Sequence, residues 1–382
     1  MAFNNNTDAA SCLNFTLPEA EAHTYTPVKL VLIKVFIPAI ACVGLLLNTT
    51  FLFVIYRIEN MRTTTNFYLG NLAVADILTV VTGCFHHLGK YIASEPVDYP
   101  YTTDFKSRVA CGAPYLVHYL SLFASVAFVF LVALERYRAI CKPVVHRKTS
   151  SRRRTLKLAV VAWMILIFFT VIHSGSFEFI GLCLSWPQDR QFSGFPTVIT
   201  ICKWHKWANI SIYTFAVCQF TVAFAGNVVM FIKIVHTLSN NNKGKVVKAR
   251  NHVARMLSIN AVVFFACLAP THIIYAGIAV QKITGVANDD PRVYDDIIAR
   301  DLFRNLYWAS VCLTFINSAI NPLIYNGSNA EYRRAFREAF CCSGCQNSRS
   351  IKGIEISKLQ SVSLVENQKE KRDFQTDEDI SQ

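Results

Sequence analysis

The chain has 382 residues, of which 53% are hydrophobic and only 16% are Asp, Glu, Lys or Arg, against about 25% charged residues in an ordinary soluble domain. A single soluble core of this size would leave much apolar surface uncovered, and the same composition, with 28 Phe, excludes a disordered or collagen-like chain. The net charge of +13 sits in segments between apolar blocks, which argues against nucleic acid as a partner and for a membrane protein with one basic face.

In chain order, residues 1–28 precede the first apolar run and carry two N-x-[ST] acceptors, Asn5 and Asn14, candidate glycosylation sites on a lumenal segment. Runs long enough to cross a bilayer are predicted at Val35–Tyr56, Asn66–Leu88, Ala110–Leu134, Leu158–Leu184, Trp207–Ile234, Met256–Val280 and Leu306–Tyr325. The first run is expected to serve as insertion signal, with no cleavable leader. The expected organisation is an outer N-terminus (1–28), a seven-helix membrane bundle (29–328), a short amphipathic helix with a lipidation site (329–345) and a disordered tail (346–382). No internal repeat is present.

Charge sets the orientation. Arg138–Thr155 holds seven Lys or Arg and no acid, and Lys233–Arg255 holds six and no acid, whereas Gln281–Asn305 mixes five Asp with four basic residues. The Lys/Arg excess places the first two segments in the cytoplasm and the N-terminus outside. The Asp-rich outer segment reads as an attractor for a cationic ligand or as an ordinary solvated loop.

The 13 cysteines are too scattered for a disulfide framework. Cys111, at the outer start of the third run, and Cys202, in the outer segment before the fifth, both face an oxidising compartment, so a bond between them is permitted. Cys183 is a rival partner, placed at the membrane end of the fourth run. Cys341, Cys342 and Cys345 follow the basic amphipathic stretch Glu331–Phe340, which reads as palmitoylation beside a helix on the inner leaflet or as three free thiols.

Polar residues inside the runs are costly and ask for a reason. Asp76 lies mid-run, with Asn48, Ser125, Asn317, Ser318 and Asn321 at compatible depths. Such oxygens suit a small hard cation, Na+, or form a network that only packs helices. Glu135-Arg136-Tyr137 closes the third run before the basic segment, Pro270 frees a backbone carbonyl in the sixth, and Asn321-Pro322-Leu323-Ile324-Tyr325 does so in the seventh. Helices broken in this way suit switching between two packings.

Asn48, Leu72–Asp76, Cys111, Glu135-Arg136-Tyr137, Trp163, Cys202, Phe264, Pro270 and Asn321–Tyr325, with 25 residues from Cys111 to Arg136, together resemble the rhodopsin-like (class A) G-protein-coupled receptors. The segments Met61–Asn66 and Leu69–Asp76 resemble neuropeptide receptors of the thyrotropin-releasing-hormone and neuromedin-like group. The resemblance implies an all-α seven-helix bundle with a short amphipathic eighth helix, at the plasma membrane. It also implies an extracellular ligand, a heterotrimeric G protein, receptor kinases and arrestin as partners, and no enzymatic activity. It implies switch roles for Glu135, Arg136, Tyr137, Asn321, Pro322, Tyr325, Pro270 and Phe264, an allosteric Na+ at Asp76, Ser125, Asn317, Ser318 and Asn321, and no other cofactor. Ser348, Ser350, Ser357, Ser361, Ser363 and Thr376 are candidate phosphorylation sites. Several family positions are altered: Ala223, Phe231, Leu268, His173 and Arg250 stand where proline, tyrosine, tryptophan, proline and an acid are usual.

His118 lies 18 residues outward of Arg136, about 27 Å along a helix. Amine receptors have an aspartate there, and opsins a lysine where this chain has Phe315, so neither an amine nor retinal fits. The pocket candidates are His86, His87, Lys90, Tyr91, His118, Tyr119, Thr271, His272, Tyr275, Trp308 and Phe315, each of which also reads as ordinary helix packing. Aromatic faces, hydrogen-bonding groups and some positive charge suit a short peptide. A metal at His86, His87 and His118 is a further reading. The alternatives are a class A receptor for a non-peptide ligand, a transporter, which would show paired halves, and an intramembrane enzyme, for which no His-Glu-x-x-His, Gly-x-Ser-x-Gly or aspartate pair is present.

Overall fold

The computed structural model describes residues 12–99, 108–173, 176–240, 245–285 and 301–340. Seven long helices form the body: α1 (Pro27–Arg57), α2 (Thr64–Ser94), α3 (Arg108–Cys141), α4 (Arg152–Ile172), α5 (Lys206–Asn240), α6 (Lys245–Thr284) and α7 (Asp301–Ser328). Their starts follow local rules. Pro27 sits in the first turn of α1, where its missing N–H costs nothing, and the Thr26 hydroxyl accepts from the Lys29 amide. Thr63 and Ser151 cap α2 and α4 through the Asn66 and Arg154 amides.

The helices close a ring in the order α1, α2, α3, α5, α6, α7, with α4 outside against α3 and α2. Asn48 ties α1 to α7 by donating to the carbonyls of Gly44 (2.9 Å) and Ser318 (2.8 Å). Trp163 Nε1 ties α4 to α2 through Asn71 Oδ1 at 3.0 Å. Exposure is inverted relative to a soluble protein: Leu46, Phe168, Val222, Val262 and Ile273 are exposed, while Asp76, Ser121, Ser125 and Asn317 are buried. That is the pattern of a bundle whose solvent is lipid. Six of these helices are long and apolar enough to cross a membrane. The seventh falls short because α7 turns Ser310, Thr314, Asn317, Ser318 and Asn321 inward. The helices also outrun the predicted apolar cores: α2 runs to Ser94 and carries His86, His87 and Lys90 on its inner side.

One predicted element is corrected. The run Leu158–Leu184 is not one helix: α4 ends at Ile172, and Phe177–Ser185 is a strand, β2. A short apolar run reads alike as a buried strand or as helix, and here pairing decides. β2 runs antiparallel to β3 (Val198–Trp204), from Phe177 opposite Trp204 to Cys183 opposite Val198. A short strand β1 (Leu13–Asn14) adds in parallel on the other edge of β2. Cys183 is thus in this sheet, not at a membrane end, and it is bonded to Cys12, 171 residues away. After β1, the Thr16 amide and hydroxyl bond Glu19 Oε2 at 2.7 and 2.8 Å and cap the turn-and-a-half helix Leu17–Ala22.

The sheet builds a roof over one end of the bundle. Val97, Tyr99, Leu184, Ile199 and Ile201 form its buried core, with Phe15, Trp186 and Phe195 packed against them. The Asp98 amide donates to the His23 carbonyl at 2.7 Å, so the N-terminal segment is bound to the α2–α3 connection. A helix Ala330–Phe340 belongs to a separate unit beginning at Ala330.

Candidate functional site

A cavity of about 220 Å³ lies among the helices, closed on one side by the N-terminal segment and the α2–α3 connection. Its wall takes His86, His87 and Lys90 from α2, Tyr115, His118 and Tyr119 from α3, Tyr213 from α5, Thr271 and Tyr275 from α6, and Tyr307, Trp308, Thr314 and Phe315 from α7. Ala22, His23, Tyr25 and Lys29 enter from the N-terminal segment and α1, and Asp98 from the α2–α3 connection. Nine of the eleven pocket residues read from the sequence therefore share one cavity. Tyr91 and His272 are buried elsewhere. The Tyr91 ring meets Tyr25 at 5.1 Å beneath the Lys34 ammonium, and His272 stacks on Phe220 at 4.0 Å while its Nδ1 bonds the Leu268 carbonyl at 2.9 Å.

The aromatic wall is interlocked. Tyr119 lies 6.0 to 6.3 Å from the rings of Trp204, Tyr213 and Tyr275, and Tyr213 meets Tyr275 at 5.1 Å. The His86 ring meets Tyr115 at 4.7 Å, and the His87 ring meets Trp308 at 5.5 Å. At the floor, Phe315 requires glycine opposite it: a Cβ on Gly83 would lie 2.7 Å from Phe315 Cζ. His118 Nδ1 is buried with no hydrogen-bond partner, so the cavity offers one unsatisfied polar atom at depth.

The charged part of the wall was not legible in the sequence. Lys29 Nζ bonds Asp98 Oδ2 at 2.6 Å, and Lys90 Nζ bonds Asp98 Oδ1 at 2.8 Å. Burial by itself would raise the Asp98 carboxyl, but the Lys90 and Lys29 ammoniums outweigh it and hold the group well below the usual carboxylate range. Ser94 completes the corner, its Oγ 2.9 Å from the Tyr25 hydroxyl. Lys29 and Asp98 are 69 residues apart, and no local pattern announces such a pair. A weaker signal existed for Tyr115, one helical turn from His118.

Deeper in the bundle, Asp76 is fully buried. Its Oδ1 accepts from Ser125 Oγ at 3.3 Å and its Oδ2 from Asn321 Nδ2 at 2.7 Å. Ser318 and Asn317 are buried on the same helix as Asn321, and Asn317 Oδ1 has no hydrogen-bond partner. The five residues read from the sequence as a cation site are therefore all interior, and Asn321, Ser318 and Ser125 bond the Asp76 carboxylate. No cluster of three or more His, Cys, Asp or Glu suited to a metal occurs among the described residues, which argues against the histidine metal reading.

At the opposite end from the roof, Glu135 Oε1 lies 3.7 Å from His146 Nδ1, on the short helix Pro143–Thr149. The Tyr137 ring receives the Lys142 and Lys233 ammoniums at 6.0 and 5.8 Å. Tyr325 is buried with its ring 5.2 Å from Phe51. Pro270 and Pro322 lie inside α6 and α7, and Phe264 is fully buried. Asn321 joins this region to the carboxylate, since it precedes Pro322 and bonds Asp76. Of the altered positions, Leu268 and Ala223 are buried and Phe231 is exposed. His173 caps the end of α4 and bridges it to α5 through Ser211 Oγ at 3.0 Å.

Cys202 is disulfide-bonded; the side chain of its expected partner Cys111 lies outside the described ones, as does that of Arg250. Asn14 is exposed on β1, while Asn5, Cys341, Cys342, Cys345 and the candidate phosphorylation sites lie outside the described residues.

The model of the family described as 7 transmembrane receptor (rhodopsin family) matches residues 47–325, well over half of the chain. That span runs from the residue before Asn48 to Tyr325 and includes both the Asp76 network and the Glu135–Tyr137 segment. The chain belongs to the rhodopsin family of seven-transmembrane receptors, and it is a signalling receptor rather than an enzyme.

Proposed function

We propose that this receptor sits in the plasma membrane with the roofed end outside, binds a short neuropeptide in the roofed cavity, and passes the signal to a heterotrimeric G protein. One observation carries the ligand reading: His, Tyr and Trp side chains from five helices converge on one roofed cavity with Lys90, Lys29 and Asp98 at its edge. Stacking faces, an unsatisfied His118 Nδ1 and a polar rim suit the aromatic and amide groups of a peptide better than a lipid or a simple amine. The orientation follows from the basic segments at the opposite end and from Asn14, an exposed candidate glycosylation site on the roof.

Ligand binding works by preference for one of two packings of α6 and α7 against the rest. In the active packing the inner end of α6 swings about Pro270, and Arg136 and Tyr325 present a cleft to the G protein. The Asp76 site fits Na+: a carboxylate with the Ser125 hydroxyl and Asn321 beside it, and the unpartnered Asn317 carbonyl oxygen on the same helix, is an oxygen set for a hard cation. Bound there, the ion would hold α2, α3 and α7 together and favour the inactive packing. The Cys111–Cys202 disulfide, glycans at Asn5 and Asn14, palmitate at Cys341, Cys342 and Cys345, and kinase and arrestin binding at the tail complete the reading.

The test is G-protein activation in cells displaying the receptor, challenged with pooled synthetic neuropeptides of its own organism. Activation by one pool supports the proposal. Silence with verified surface display, together with activation by a non-peptide extract, would replace the peptide by a non-peptide ligand.

A further inference from the structure

A chain end stays ordered only where something ties it down, and residues 12–29 are tied at both ends. At one end Cys12 is bonded to Cys183 in β2, and β1 pairs with the same strand, Leu13 opposite Leu184 and Asn14 opposite Ser185. At the other end the Tyr25 hydroxyl lies 2.9 Å from Ser94 Oγ, at the end of α2, and Lys29 bonds Asp98. Between these ties the segment lies on the protein. The Phe15 ring meets Trp186 at 5.0 Å and His23 at 4.9 Å, and the His23 ring meets Tyr99 at 5.1 Å. Ala20 is fully buried, and Ala22, His23 and Tyr25 line the cavity.

We propose that residues 12–26 form a lid over the cavity and that the Cys12–Cys183 bond is the latch that keeps it shut. The non-covalent grip at the far end is small. It consists of a strand two residues long and one group of rings, and contacts of that size open and close as chain ends do. The bond makes each reclosure an intramolecular event, because the released residues cannot leave β2. The tie at Tyr25 and Lys29 serves as the hinge. A solute entering on this side meets a wall that moves only as far as the latch allows. The lid therefore sets access to the cavity for any ligand, peptide or not.

The test follows a reporter thiol. Ser310 lines the cavity from α7 and is 2% exposed, so Ser310→Cys puts a thiol of similar size inside it. Purified full-length receptor is treated with 2-hydroxyethyl methanethiosulfonate, a small neutral reagent. The thiolate attacks the divalent sulfur, a disulfide forms and methanesulfinate leaves. Mass spectrometry of the digested receptor gives the rate at residue 310 and, as internal control, at Cys141, a half-buried thiol at the opposite end in contact with Thr237. Removing the latch with Cys12→Ala and Cys183→Ala is expected to speed the reaction at residue 310 at least about tenfold and to leave Cys141 within about twofold. Equal rates at residue 310 with and without the latch overturn the lid. Equal acceleration at both positions overturns it too, because the whole bundle has then loosened. If the double variant fails to fold, Phe15→Ala loosens the lid with the latch intact. Acceleration at residue 310 alone is then expected, and an unchanged rate there overturns the proposal.

Discussion

Asp98 is the centre of an ionic cluster that joins α1, α2 and the α2–α3 connection. Asp98→Asn keeps the shape and removes the charge, so Lys29 and Lys90 lose their common partner in a place where the Asp98 side chain is only 10% exposed. Removing one partner of a buried ion pair costs about 3–5 kcal/mol. The partial exposure of Lys90 argues for the lower end, about 3 kcal/mol, which for a chain of this size corresponds to a midpoint lower by about 4 °C. Thermal unfolding of purified receptor measures it. The pH dependence adds a second check. The Asp98 carboxyl is held low in the fold, so its contribution is complete above the unfolded value of about 3.9 and is lost only as the pH falls through the lowered one. The gap between wild type and Asp98→Asn is therefore constant between about pH 5 and 8 and narrows only in stronger acid. A loss below about 1 kcal/mol, the range of an exposed pair, or a gap that closes by pH 5, would refute the reasoning.

Four other substitutions test separate parts of the receptor. Asp76→Asn is expected to abolish the sodium dependence of agonist binding, and unchanged salt dependence in that variant would remove the cation from the account. Cys12→Ala frees the N-terminal segment from β2 and is expected to lower thermal stability by a few kcal/mol, as losing a native disulfide does, whereas Cys202→Ala is expected to reduce surface display or ligand binding; flow cytometry and unfolding midpoints separate the two, and wild-type behaviour in either variant rejects that bond's role. Gly83→Val places a branched side chain where even a Cβ lies 2.7 Å from Phe315, so Phe315 must shift into the cavity; binding is expected to weaken at least about tenfold, the 1–3 kcal/mol of overpacking, and full affinity would show that the cavity floor does not touch ligand.

Much of this architecture is legible in the sequence because membrane helices and polar wedges leave plain patterns. Asp76 is isolated in an apolar run, and its neighbours Ser125 and Asn321 follow from depth alone. His118 is placed by its 18-residue distance from Arg136 along one helix, and the other pocket residues share its cavity because each lies toward the outer end of its own run. What the sequence hid depends on partners far apart in the chain. In sequence β2 looks like the end of a helix, because nine apolar-rich residues look alike in either state until β3 pairs with them. The Cys12–Cys183 bond and the Lys29–Asp98–Lys90 cluster join segments 171 and 69 residues apart, and neither carries a local motif. Tyr91 and His272 look like pocket residues in sequence because they share helices and depth with the lining residues. Their rings instead turn to Tyr25 and Phe220.

The most direct measurement of the central claim is nucleotide exchange on a purified heterotrimeric G protein by the reconstituted receptor, with pooled synthetic neuropeptides, in wild type and in Tyr119→Ala. Tyr119 joins α3 to the rings of Tyr213, Tyr275 and Trp204, so the variant opens the aromatic wall without touching the opposite end of the bundle. The expected result is that one pool drives exchange in wild type and at least about tenfold more of it is needed in the variant. A pool equally potent on both would contradict binding in the cavity, and no exchange with any peptide pool would contradict the peptide ligand.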